Sequence, residues 1–275
     1  MSNVSREFSK LLFQRRTYFG WVGLFIVPFL ITIAIRLSDG GGPQHGDPDQ
    51  QGMDFFFNFI ESNGLYIAVI SLFALAAFLL PLLASMAGSQ TIAGEAEKGT
   101  LRTVLMQPVR RGTLLMAKWF VANVYVAIGL IVLAVASIIA GGAFFGLSPM
   151  LLFSGQTVGV GESIWLVFLS YAFVWFGMMA VVSVSVALST LTDSGLTAMA
   201  AGLALVIVMI ILGNLPVFDF LQPYLFTSHF DAWTNLFSDP VEWGPIRDAL
   251  INFVVWIVGM TGIAYLIFRR KDILS

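Results

Sequence analysis

The residues of this chain able to do chemistry gather in one polar stretch, residues 94–118, GEAEKGTLRTVLMQPVRRGTLLMAK. It holds two acids, Glu95 and Glu97, and five bases, Lys98, Arg102, Arg110, Arg111 and Lys118, while the flanking runs 65–93 and 119–147 carry no charge. Charges set this way between apolar runs suit recognition of a charged partner. Acids near the C-terminus of a helix oppose its dipole by roughly 0.3–1 kcal/mol, so Glu95 and Glu97 ask for a cationic partner. Simple solvation at a helix end is the competing reading.

The local signals give the stretch a shape. Gly99 can close the preceding helix in the left-handed conformation, with Lys98 suited to that helix's C-terminal dipole. Thr100 can cap a short helix over 101–107, whose Leu101, Val104 and Leu105 share one face. Pro108 ends it, because the residue before a proline leaves the helical region. Arg110, Arg111 and Lys118 then stand where basic side chains reach lipid headgroups, serving equally as anchors or as partner contacts. A short amphipathic helix shelved between two membrane spans is a docking device.

Other chemistry is poorly provided for. There is no G-x-x-x-x-G-K-[ST] phosphate loop, no H-E-x-x-H and no G-x-S-x-G, and the histidines are His45 and His229. The absence of cysteine excludes disulfides and thiolate chemistry. The loop 39–54, DGGGPQHGDPDQQGMD, gathers four aspartates and His45 but lacks calcium-loop spacing, and reads as a flexible acidic loop.

The elements that must position the polar stretch are membrane helices. The chain is 58% hydrophobic and 11% charged, with a mean hydropathy of +0.88, far outside the soluble range. Residues 1–17 place Val4, Phe8, Leu11 and Leu12 on one face among basic residues, an amphipathic helix lying in the membrane interface. Spans are expected over about 18–35, 65–93, 119–147, 164–188, 196–212 and 250–268, with Pro28 kinking the first. Gly142 and Gly146 form a G-x-x-x-G in the third span that could let helices approach. Residues 213–249 are too aromatic for a disordered loop, and too interrupted by Pro216, Pro223 and Pro240 to span. They read as short helices half-sunk at the outer interface. The fold class is all-α: a six-span membrane protein forming one domain, 1–275.

Basic residues set the orientation. Of the 14 lysines and arginines, only Arg36 and Arg247 fall in segments assigned to the outside. This positive-inside pattern puts both termini and residues 94–118 in the cytoplasm, with Arg15, Arg16, Lys118, Arg269, Arg270 and Lys271 as membrane anchors. No ionisable residue lies in a span interior, which opposes an ion-driven carrier. Energy must therefore arrive from a partner at the cytoplasmic shelf. Within or near the spans, Asn123, Tyr125, Ser183, Ser185, Asn252 and Thr261 are polar; interhelical hydrogen bonding competes with substrate contact for them. Asn123, Ser183, Ser185 and Asn252 are the candidates for a substrate path.

The pattern G-E-x-E-x-G-T-L-x-x-x-L-x-x-P-V-x-R-x-x-L-L-x-x-K over 94–118 resembles the first cytoplasmic loop of ABC-2 type permeases, the membrane subunits of exporters such as those for antibiotics and bacteriocins. The ending Phe268-Arg269-Arg270-Lys271-Asp272-Ile273 is similar to that family's tail, and the six-span layout matches along essentially the whole chain. The resemblance implies a prokaryotic plasma membrane and a pair of permeases, either two copies or this chain with a similar one. It also implies two separate ABC ATPase subunits bound at Glu95, Glu97, Gly99, Thr100, Leu101, Val104, Leu105, Pro108, Arg110 and Arg111. ATP and magnesium would sit on those partners, and this chain would bind no cofactor and no nucleic acid. The cargo expected is hydrophobic or amphipathic: an antibiotic, peptide or lipid-like compound. The alternative is a mechanical relay that uses the same ATPase to drive an extracytoplasmic partner and moves no cargo.

Overall fold

In a bilayer every backbone amide must find its partner within the chain, so charge-free apolar runs fold as helices. The computed structural model describes residues 15–37, 63–99, 111–152 and 154–270. The first helix, α1, is Arg15–Leu37 with Pro28 inside it. The run after residue 63 is not one straight helix: α2, Leu65–Ala76, and α3, Leu79–Ser89, meet at a bend of 58°. Pro81 explains the place of the break. It cannot donate to the carbonyl four residues back, that of Ala77, and its ring crowds that oxygen. Within the first turn of α3, by contrast, the missing N–H has no helical partner to lose.

A five-residue helix, α4 (Ala93–Glu97), follows, and then α5, Arg111–Phe145. A small antiparallel hairpin pairs β1, Met150–Leu151, with β2, Thr157–Val158; Gly155 turns it at φ +83°. The all-α expectation had no place for this strand pair. Then come α6, Val160–Leu191, and α7, Gly195–Asn214. Three 3-10 helices, Pro216–Tyr224, Phe226–His229 and Ala232–Phe237, lead to α8, Trp243–Arg270. Among the described residues five helices are long and apolar enough to cross a membrane, and the bent α2–α3 pair makes a sixth if it is one span. Apart from the bent pair, which stops at Ser89, these helices run longer than the apolar runs that announced them. Apolar composition marks only the stretch in hydrocarbon, whereas the hydrogen-bond ladder continues into polar sequence.

Helix α6 is the axis of the bundle, packing on α3, α5, α7 and α8, and α1 lies on α5. There Trp21 stacks on Tyr125 with ring centroids 5.3 Å apart and donates from Nε1 to the Tyr125 carbonyl. Two glycines bring α2 and α5 into backbone contact. A Cβ built on Gly141 would lie 1.9 Å from the Gly64 carbonyl oxygen, so neither position tolerates a side chain. The expected approach through Gly142 and Gly146 is thus made one residue earlier. A Cβ on Gly142 would meet only ordinary contacts, and Gly146 ends the helix with φ +78°.

The aromatic segment after α7 is folded into the bundle. Phe226, Trp233 and Phe237 are fully buried, and Phe226 meets Trp256 of α8 edge-on at 5.1 Å. Trp256 and Asn252 of α8 donate to the carbonyls of Tyr224 and Pro223, at 2.8 Å and 2.7 Å. The prolines that forbid a long helix leave carbonyls free, and these side chains satisfy them.

Candidate coupling site

The root of the polar stretch is built from five helices, α3 to α7, meeting at one end of the bundle. Helix α4 is too short to hold itself and is fixed from outside by one hydroxyl. Ser189, in the last turn of α6, accepts from the amides of Ile92 (3.1 Å) and Ala93 (2.8 Å) and donates to the Ser89 carbonyl (3.0 Å). It therefore caps the start of α4 and the end of α3 at once, in a fully buried position. Sequence reasoning passed over Ser189. Its only signal was its place at the start of the polar turn 189–195.

The two acids have partners within the chain. Lys118 Nζ lies 2.7 Å from Glu95 Oε1, with the side chains 2% and 14% exposed. Glu97 Oε2 accepts the amide of Gly195 at 2.9 Å, which places its charge at the N-terminus of α7. The amides and dipole of that terminus favour an anion, which offsets the unfavourable place of Glu97 at the end of α4. The cationic partner that the sequence asked for is thus Lys118 for Glu95, and a helix terminus for Glu97. Lys118 itself, expected at the headgroups, is turned inward. Because α5 starts at Arg111, Lys118 is already two turns into the helix and facing α4.

Gly94 and Gly195 allow this closeness. A Cβ on Gly195 would fall 3.2 Å from Gly94 Cα and 2.8 Å from Gln90 Nε2. Gly99 adopts φ +68° and its amide bonds to the Ala96 carbonyl, closing α4 in the left-handed conformation. Nearby, Arg111 Nη1 donates to the Arg269 carbonyl at 3.3 Å, and Gly112 leaves room for the Tyr265 ring. The start of α5 is thus tied to the last turn of α8, where Arg269 and Arg270 are exposed. Thr100, Leu101, Val104, Leu105, Pro108, Arg110 and Lys271 lie outside the described residues, as do the side chains of Arg15 and Arg16. The segment 1–14 of the expected interfacial helix and the whole acidic loop 39–54 are outside them as well.

Of the residues expected along a substrate path, Ser183 and Asn252 tie separate elements together. Ser183 Oγ accepts from Trp119 Nε1 (2.8 Å) and from Thr261 Oγ1 (3.4 Å), joining α5, α6 and α8. Ser185 is fully buried where Gly88 of α3 and Gly202 of α7 approach α6. Asn123 donates to the Trp119 carbonyl within its own helix, and Asn252 holds Pro223.

Helix α4 and its ends are thus bonded to three spans, to α5 through Lys118, to α6 through Ser189 and to α7 through Gly195. Residues 3–273 match the family model described as ABC-2 family transporter protein. No curated protein matches the chain.

Proposed function

Because the chain belongs to the ABC-2 family of transporter proteins, we propose that it is the membrane-spanning subunit of an ATP-driven exporter. Membership makes it a transporter permease without an ATP-binding motif of its own, partnered by ABC ATPase subunits. In our reading two ATPases hold ATP and magnesium and dock on the shelf 94–118. Two permeases, alike or similar, enclose the path, and the complex sits in a prokaryotic plasma membrane with both termini of this chain cytoplasmic. Closure of the ATPases pushes the shelves and turns the path outward, releasing a hydrophobic or amphipathic cargo.

The observation that supports this reading is the junction at α4, where one short helix is bonded to α5, α6 and α7 through Lys118, Ser189 and Gly195. A loop with only lipid-facing duties would not need ties to three spans. Docking is tested by Leu101→Asp, which puts an unpaired charge into the apolar face of the helix expected over 101–107. Such a charge, desolvated in an interface, costs on the order of 3 kcal/mol or more. At matched membrane levels the ATPase should no longer co-purify with this variant, while Arg16→Ala should retain it. Full retention by Leu101→Asp would remove the docking role from this helix.

A further inference from the structure

At the end of the bundle opposite Glu95, a cavity of about 460 Å³ lies between the break in α2–α3, the end of α7 and the 3-10 helices. Phe73, Ala76 and Ala77 line it from the break, Ile210, Gly213 and Asn214 from α7, and Gln222, Thr227, Ser228, Phe230, Asp231 and Trp233 from the 3-10 segment. Its polar side chains, the indole of Trp233 apart, all carry hydrogen-bond acceptors. Gln222 uses its amide hydrogens on the Gly213 carbonyl and Asp219 Oδ1, and Asn214 donates to the Ile210 carbonyl. Their amide oxygens remain as acceptors. The hydroxyls of Thr227 and Ser228 are buried and have no hydrogen-bond partner among the described residues, and Thr227 is 8% exposed. A buried hydroxyl left unpaired costs free energy that a bound polar group recovers, whether it donates or accepts.

The charge balance has the same sign. Asp231, exposed at the surface, is the one carboxyl side chain in the lining, and no lysine or arginine accompanies it. The C-terminus of α2 ends at this wall, and a helix C-terminus is the negative end of its dipole. Phe73, Phe230 and Trp233 add aromatic surface, which favours apolar bodies and attracts cations to ring faces. We infer that this cavity binds amphipathic cations, an aromatic or apolar body carrying a protonated amine that donates to Thr227, Ser228 and Asp231.

The inference gives the exporter reading a cargo class, but binding can be measured on the membrane subunit without any ATPase. The probe is dansylcadaverine, an aromatic primary ammonium, set against its carboxylate counterpart dansyl-aminohexanoate. Both are titrated by fluorescence onto the full chain in lipid nanodiscs, with protein-free nanodiscs subtracted. The cation should bind saturably and at least tenfold more tightly than the carboxylate. Asp231→Asn should reduce that preference several-fold. Thr227→Val, close in shape, should weaken the cation about three- to tenfold and leave the carboxylate unchanged. Equal affinity for the two probes, no saturable binding, or cation binding unaltered in both variants would overturn the assignment. Because ATPase co-purification with the unmodified chain is measured separately, its success beside a failed titration removes the cavity and keeps the exporter reading. The reverse result removes that reading and leaves the cavity standing.

Discussion

The Lys118 ammonium lies 2.7 Å from the Glu95 carboxylate, joining the helix that leaves the second apolar run to the helix that begins the third. Both side chains are largely removed from solvent, so the pair behaves as a unit. Removing one partner leaves a buried charge without compensation, at a cost of about 3–5 kcal/mol. Lys118→Met and Glu95→Gln should each lower the melting temperature in detergent well below that of the unmodified chain. The double variant, neutral at both positions, should recover most of the loss. Additive losses in the double variant would show that the two residues act separately.

Ser189→Ala tests the joint between α3 and α4. The change leaves the amides of Ile92 and Ala93, both on fully buried residues, without their acceptor. The expected loss of stability is about 1–3 kcal/mol. Ser194→Ala is the comparison: its hydroxyl accepts from Thr197 at 3.5 Å in an exposed position, and its loss should be smaller. Thermal unfolding of the two variants should separate clearly, and equal melting temperatures would contradict the joint.

The adjacent glycines Gly141 and Gly142 of α5 should respond oppositely. Gly141→Ala would set a methyl 1.9 Å from the Gly64 carbonyl oxygen and force α2 and α5 apart, costing at least about 1–3 kcal/mol. Gly142→Ala meets its nearest neighbour at 3.6 Å and should be tolerated, with a small gain in helix propensity. Yield of monodisperse protein after solubilisation should fall for Gly141→Ala alone. Equal yields would show that the backbones are not in contact.

Orientation is checked with cysteines, and the chain supplies a clean background because it contains none. A cysteine at Gly155, on the hairpin turn, should react with an impermeant reagent applied to intact cells, and one at Gln107 should not. External reaction at Gln107 would invert the assignment of the shelf to the cytoplasm.

Much of this was written in the sequence, and the gaps have physical causes. Gly99 in the left-handed conformation follows from local rules, because glycine alone reaches φ +68° without strain. The break before α3 was equally local, since Pro81 excludes the Ala77 carbonyl from the ladder, yet hydropathy summed over 65–93 conceals it. The Glu95–Lys118 pair was not legible. It depends on how residues 100–110 return the chain, and on α5 starting before the apolar run that marks it. Glu97 was harder still, because its partner is a backbone amide, and side-chain types do not reveal which helix terminus lies near. Asn252 and Ser183 stood out as polar groups in apolar runs, but their partners did not. The carbonyl, indole and hydroxyl groups they satisfy come from distant elements.

The central claim is that ATP-driven motion enters the spans through the contacts of α4, and it can be tested without knowing the cargo. The reporter is a cysteine at Ser228, in the lining of the cavity far from α4. Its labelling rate in the purified complex with the ATPase is measured with and without ATP and magnesium. In the otherwise unmodified chain, ATP should change that rate several-fold. With Glu95→Gln and Lys118→Met added, the fold and the bound ATPase should persist, but the ATP-dependent change should be largely lost. An undiminished change in this ion-pair-free complex would contradict the claim.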